Sequence, residues 1–255
     1  MRDLIRRLLP EPVLRVKRAI QRDRDLQRSI REVRRLGEAR DPADALRMVE
    51  EFRGWGDYAR IESVQIPAEI CALFDLLIQR GVRRACEIGS FLGGTLCMMT
   101  RVLPDDAELY SLDFPDVEEG PRPLASRKPF HEGFARAQQT VQVIHGDSHA
   151  PNTVSVLARM LDGRPLDFLF IDGDHSLAGV RADFELYSTF VRPGGLIAFH
   201  DIIPHESARF GVPEFWDEIR ADHETIEICD AGARERRSGF GIGVVFWQAT
   251  APARV

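Results

Sequence analysis

Apolar and polar positions along this chain follow two different rhythms. Over residues 4–36 a helical period puts Leu4, Ile5, Leu8 and Leu9 on one face. Pro10 interrupts it, and Val13, Leu14, Val16 and Ile20 resume it. Further helices are predicted over 42–52 and 67–81. After Gly81 short apolar runs alternate with helical stretches. Strands are expected at 85–89, 108–113, 140–147, from 166 into the exit loop ending at 175, and at 194–201. Helices are expected at 94–102, 152–161 and 179–190. Strands separated by helices imply β-α-β units, hence a mostly parallel sheet covered on both faces. The last two runs, 225–230 and 241–248, are joined by a polar, Gly-containing stretch and predict an antiparallel pair closing one edge. The expected fold is therefore α/β, a doubly wound, mostly parallel seven-stranded Rossmann-like sheet with a terminal antiparallel hairpin and an N-terminal helical extension. Residues 1–61 are read as the basic helical extension, 62–248 as the α/β domain and 249–255 as a tail.

In an open α/β sheet, ligands bind outside the carboxyl ends of the strands. The first exit reads Glu87-Ile-Gly89-Ser90-Phe-Leu-Gly93-Gly94-Thr95. Gly89 permits a tight turn, and Gly93 and Gly94 are expected to let a ligand approach the opening of the next helix. The spacing is not the dinucleotide G-x-G-x-x-G, whose second glycine falls at Phe91, so a smaller nucleoside ligand is favoured. The second exit ends in Asp113, placed to accept both hydrogen bonds of a ribose diol. At the third, Asp147 suits an exocyclic amine and Ser148 supplies a hydroxyl. The fourth and fifth exits carry Asp172, Asp174, His175, His200 and Asp201. Carboxylates arriving together from neighbouring strands suit a hard cation, with Asp172 and Asp201 as oxygen ligands. An imidazole such as His175 is the usual general base near neutral pH.

Composition narrows the partners. The 255 residues are 44% hydrophobic and 29% charged, with a formal net charge of −6. Residues 1–40 hold thirteen basic against six acidic side chains, +7, which leaves −13 on the other 215. An acidic body argues against nucleic acid as a substrate. The Arg-rich head suits a solvated helical extension with a narrow apolar stripe, contact with an anionic membrane surface, or packing in a homo-oligomer. No run approaches the roughly 20 apolar residues of a membrane span. The start, MRDLIRRLLPEP, lacks the apolar core of a secretory signal. Cys71, Cys86, Cys97 and Cys229 form no C-x-x-C pair, and the chain reads as reduced and cytoplasmic. The stretch 114–136 has no clear periodicity. It carries Arg122, Arg127, Lys128 and His131, and is read as a lid selecting an anionic or sugar substrate.

These residues give the chain a resemblance to class I S-adenosylmethionine-dependent methyltransferases. Glu87-x-Gly89-x-x-x-Gly93-Gly94 resembles that superfamily's first motif and Asp113 its ribose-binding acid. The stretch IDGDHSLAGVRADFELYSTFVRPGGLIAFHDI, with the later GVPEFW, is similar to metal-dependent O-methyltransferases grouped with the so-called cephalosporin hydroxylases and macrolide-sugar methyltransferases. The resemblance implies S-adenosylmethionine as cofactor and a divalent metal, Mg²⁺ or Mn²⁺, on Asp172, His200 and Asp201. It further implies a base at His175 or Asp174 and a hydroxyl acceptor on a sugar or small metabolite. His200 replaces the first acid of the family's acidic pair, and an O,O,N donor set favours Mn²⁺ or Fe²⁺ over Mg²⁺. Two other readings stand beside it: an NAD-dependent oxidoreductase, disfavoured by the glycine spacing, and a non-catalytic cofactor-binding scaffold docking through the basic head.

Overall fold

The computed structural model describes residues 10–114, 127–204, 210–229 and 240–248. Seven strands form one sheet in the order β3-β2-β1-β4-β5-β7-β6. They are β1 (Arg84–Ile88), β2 (Glu108–Asp113), β3 (Thr140–His145), β4 (Leu166–Ile171), β5 (Val191–His200), β6 (Thr225–Ile228) and β7 (Ile242–Phe246). The first five pair in parallel, and β7 runs antiparallel to both β5 and β6. The terminal hairpin forms as the sequence predicts. Its second strand, however, slots inside against β5, with Ile242 opposite His200, and the first becomes the edge. That order follows from apolarity: β7 is buried along most of its length, while β6 is largely exposed.

Helices cover both faces. Those described are α1 (Glu11–Arg35), α2 (Pro42–Glu51), α3 (Pro67–Gln79), α4 (Gly94–Val102), α5 (Lys128–Glu132), α6 (Pro151–Leu161), α7 (Leu177–Tyr187) and α8 (Val212–Asp222). In β4, Phe168 and Phe170 point into one core and Leu169 and Ile171 into the other. That two-sided burial explains why the strand is a continuous apolar run rather than an alternating one.

The N-terminal residues join the first of these cores. Val33, Ala45, Leu46, Val49, Phe52, Tyr58 and Ile61 pack with Leu73, Met98 and Phe168. Asp41 caps α2, its side chain accepting the Asp44 N–H at 2.7 Å. The buried Arg101 of α4 donates to the carbonyls of Val33 and Gly37, 3.3 and 3.0 Å away, which ties the end of α1 to the body. The amino-terminal half of α1 is exposed, with Val13, Val16 and Ile20 at 40%, 59% and 48%.

On the opposite face Phe215 and Trp216 of α8 are buried on the sheet, with Pro213 in the helix's first turn as the sequence predicts. Trp216 Nε1 donates to Glu227 Oε1 at 2.7 Å, and a Cβ on Gly243 would meet the indole ring 2.6 Å away. Trp216→Ala is expected to cost about 3–5 kcal/mol. A thermal-unfolding midpoint within a degree of the parent's would show that α8 contributes little to this core.

One expectation is overturned. The lid reading of 114–136 fails from Arg127 onward, where Arg127, Phe130, His131 and Phe134 are buried. The Arg127 guanidinium donates to the carbonyls of Asp57, Arg60 and Leu92, and burial lowers its pKa to about 10. Burial and the neighbouring Arg127 push His131 down to about 3, so it is a neutral core imidazole. Arg127 thus fastens these loops together. Arg122 lies outside the described residues. Short aromatic spacing (Phe130, Phe134) was the available signal for this buried turn.

Candidate active site at the strand exits

A cavity of about 470 Å³ opens over the carboxyl ends of β1 to β4. It is lined by Gly89, Phe91, Asp113, Phe114, the 146–149 loop and residues 172–174. Five residues expected to hold a cofactor therefore line it: Gly89, Asp113, Asp147, Ser148 and Asp172. Gly89 has φ +89°, and any Cβ there would strike the Asp172 carbonyl oxygen. Only glycine lets the β1 and β4 exits approach this closely.

Asp113 is 8% exposed. Burial raises its pKa to about 7, opposed by the backbone N–H groups of Phe114 and Phe91. Its Oδ2 is buried and has no hydrogen-bond partner among the described residues. A buried acceptor on a cavity wall with its capacity unused fits a ligand that brings hydroxyl donors. Phe91 and Phe114, 37% and 50% exposed, add apolar surface to the same cavity wall.

Glu87, Ser90, Gly93, Gly94 and Thr95 do not line the cavity. Ser90 Oγ donates to Glu87 Oε2 at 2.6 Å and lies 2.6 Å from Ser111 Oγ, and burial lifts Glu87 to about 8. The space at Gly93 is filled by the rings of His131 and Phe134, and that at Gly94 by the Glu62–Ser63 backbone. Thr95 Oγ1 faces Ser63 Oγ at 3.4 Å. These two glycines thus admit protein, not ligand, to the opening of α4.

At the β4 and β5 exits, two carboxylates and two imidazoles meet. His200 Nδ1 lies 3.2 Å from Asp172 Oδ1 and 3.6 Å from Asp201 Oδ2. His175 Nε2 lies 3.4 and 3.5 Å from the same two oxygens. Asp172, His175 and Asp201 each offer a ligand atom within 4.8 Å of the others, a donor set of two oxygens and one nitrogen suited to a divalent cation. His200 was the expected nitrogen ligand, yet His175 completes this compact group. Asp174 stands apart, accepting the Ser176 N–H at 2.9 Å. Asp201 takes the left-handed conformation at φ +64°, and such strain clusters at functional sites. The sequence reading missed Gln65, whose Nε2 donates to Asp172 Oδ2 at 2.8 Å while its buried Oε1 has no partner among the described residues. No motif marks Gln65, because it lies 107 positions away in a loop.

Burial alone would raise Asp172, but hydrogen bonds from His175 and His200 outweigh it and hold the carboxyl below its usual range. Burial would lower His200, yet the two aspartates lift it to about 10, and they raise His175 as well. An imidazole raised on folding adds stability that is complete below its unfolded pKa of about 6.5 and lost as pH climbs through its folded value. Metal-free protein is therefore expected to lose thermal stability between pH 7 and 10. His200→Gln should flatten that decline, and parallel wild-type and variant profiles would remove His200 as its cause.

A cavity outside the carboxyl ends of an open sheet of this order, next to acids on its central strands, is the arrangement of a Rossmann-like methyltransferase fold. Residues 86–202 match the family model described as Methyltransferase domain. That segment runs from β1 to the exit of β5. The chain is similar in fold to an O-methyltransferase from Bacillus cereus in complex with SAH. The two are 19% identical over 72% of this chain and 83% of the other, with a TM-score of 0.52. It is also similar to the O-methyltransferase TomG from Streptomyces achromogenes, involved in tomaymycin synthesis and in complex with SAM. There the identity is 20% over 82% and 88% of the two chains, with a TM-score of 0.51. In sequence it is 32% identical over 117 residues to the uncharacterized protein R132 of Acanthamoeba polyphaga mimivirus, covering 45% of this chain and 49% of that one. A longer curated relative is matched over 17% of its length, so the chain spans about half or less of the curated proteins it resembles. No helix among the described residues is long and apolar enough to cross a membrane.

Proposed function

We propose that the protein is an S-adenosylmethionine-dependent O-methyltransferase, assisted by a divalent metal, acting on a hydroxyl of a sugar or small metabolite. The observation that carries the reading is one cavity with two ends. Asp113, with its unused buried oxygen, lines it at the β2 exit, and Asp172 lines it at the β4 exit as the member of the Asp172–His175–Asp201 group that reaches the cavity. When bound, the cofactor supplies an electrophilic methyl group, and the cation supplies charge that lowers the pKa of an acceptor hydroxyl.

This chain's residues do the rest. Asp113 holds the ribose diol, and Phe91 and Phe114 help exclude water around it. Asp172 and Asp201 hold the cation, with Gln65 fixing the rotamer of Asp172. His175 Nε2, left out of the cation's ligands in this reading, accepts the acceptor's proton, so the two carboxylates alone hold the ion. A base must begin unprotonated, and here the aspartates raise His175 only while their charge is turned on it. Once that charge is engaged elsewhere, the imidazole returns toward its ordinary range and can serve near neutral pH. Phe210 stacks on the His175 ring with centroids 5.2 Å apart, limiting its rotation.

Two roles remain proposals on separate grounds. The exposed Val13, Val16 and Ile20, set among arginines on α1, suit contact with an anionic membrane surface or homo-oligomer packing. The acidic body favours small-molecule over nucleic-acid partners. Methyl transfer from labelled S-adenosylmethionine to a panel of hydroxylated sugars and metabolites, with Mn²⁺ or with EDTA, tests the central reading. Transfer equally fast with EDTA would remove the metal, and no binding of S-adenosylhomocysteine would remove the function.

A further inference from the structure

Beneath the loop that follows β3 lies a carboxylate that the proposed chemistry does not use. Asp183 of α7 has 0% exposure, and among the described residues no lysine or arginine forms an ion pair with it. Burying a charge costs several kcal/mol unless it is met by partners, and an apolar side chain in that place would pack without the penalty. The groups that meet it all belong to the cavity wall. Asp183 Oδ1 lies 3.3 Å from His149 Nε2, and the Ser148 side chain lies beside the same carboxyl group, neither of whose oxygens completes a hydrogen bond among the described residues. Oδ2 faces Gly173, where a Cβ would stand 3.5 Å away. One helical turn later the Tyr187 hydroxyl donates to the Ser148 carbonyl at 2.7 Å. Residues four apart on a helix share a face, so α7 grips residues 148 and 149 from below at two points.

The upper side of the same loop faces the cavity. Asp147, Ser148 and His149 all line it. The Asp147 carboxylate accepts the His149 backbone N–H at 2.9 Å and lies 3.6 Å from His149 Nδ1. His149 is thus held between an exposed acid and a buried one. With the ribose on Asp113 at the β2 exit and the reacting groups at the β4 and β5 exits, the 146–149 loop at the β3 exit is left for the nucleobase.

We propose that Asp183 is a positioning residue for nucleobase selection: through His149 and Ser148 it holds the loop so that the Asp147 carboxylate meets the amino edge of adenine. The assignment rests on the cavity's taking S-adenosylmethionine. A 6-amino group brings donors to a fixed carboxylate, whereas a 6-oxo group brings lone pairs that it repels. An acceptor immobilised before binding loses little ordering entropy when the base arrives. Asp147 is 56% exposed at its side chain, so without support from below it would be free to turn to solvent.

The test compares binding of S-adenosylhomocysteine with that of its deaminated analogue, S-inosylhomocysteine, by calorimetry. Asp183→Asn keeps the shape but weakens the hold on His149, and His149→Ala removes the link. Wild-type protein should prefer the adenine ligand by about a hundredfold. Each variant should bind that ligand roughly tenfold more weakly and the deaminated one within about twofold of wild type. The preference should then shrink by about tenfold, and the double variant should lose no more than either single. If Asp183→Asn does not fold, His149→Ala alone decides by the same ratio. An unchanged ratio, or equal loss of both ligands, overturns the assignment. Failure of wild-type protein to bind either nucleoside overturns the methyltransferase function as well, whereas wild-type binding with an unchanged variant ratio overturns only the role of Asp183.

Discussion

Replacing Asp172 by alanine is expected to lower Mn²⁺ affinity and the metal-supported kcat/KM by roughly 10³-fold, about 4 kcal/mol. The size follows from the number of roles on one carboxylate. Among the described residues, Asp172 is the only side chain whose oxygens lie close to His175 and His200 and also accept from Gln65. Removing one partner of a buried charged network leaves the others desolvated and unpaired, typically a loss of 3–5 kcal/mol. Here two imidazoles would lose much of the negative charge that raises them, so their pKa values should fall together. Calorimetry with Mn²⁺ and a histidine NMR titration read the two effects separately. Mn²⁺ binding as tight as in wild type, with undisturbed imidazole titrations, would falsify the placement of Asp172 at the centre. Gln65→Ala is the milder companion, expected to cost about 10–100-fold in metal affinity, because it releases Asp172 without removing it.

Asp113→Ala should weaken S-adenosylhomocysteine by about 10²-fold or more, since each hydrogen bond to a charged acceptor contributes about 1.5–3 kcal/mol. The pH dependence makes this specific. In the free protein Asp113 titrates near 7 because of burial, and only the ionised form accepts two hydroxyl donors. Affinity should therefore fall as pH drops below about 7, approaching tenfold per unit. Asp113→Asn should abolish that slope. Should affinity stay flat from pH 5 to 8 in wild type, the ribose lies elsewhere.

The two predictions differ in how far their residues could be read from the chain. Asp113 is legible because an acid ending an apolar run must emerge at a strand exit, and in a parallel sheet such exits share one rim. The same logic brings Asp172, His175, His200 and Asp201 to adjacent exits without knowledge of any distance. The glycines mislead for the complementary reason. Gly93 and Gly94 have the composition of a ligand-binding turn, but what occupies the space above a missing Cβ depends on the rings of His131 and Phe134 and on the backbone at 62–63, all distant in sequence. Arg127 and His131 mislead likewise: charge on a segment without periodicity reads as solvent-facing, yet three backbone carbonyls from remote loops take the guanidinium into the interior.

Hydrophobic rhythm by itself determined the strands, the helices between them, the parallel sheet and the rim on which the chemistry collects, because period and connection length are local properties that tertiary contacts seldom override. Only folding in three dimensions decided which polar groups on that rim touch. Gln65 reaching Asp172, His175 reaching Asp201 and Asp183 reaching His149 from beneath are contacts between segments far apart in the chain. They are set by how two cores pack a twisted sheet, and no pattern within one segment carries that information.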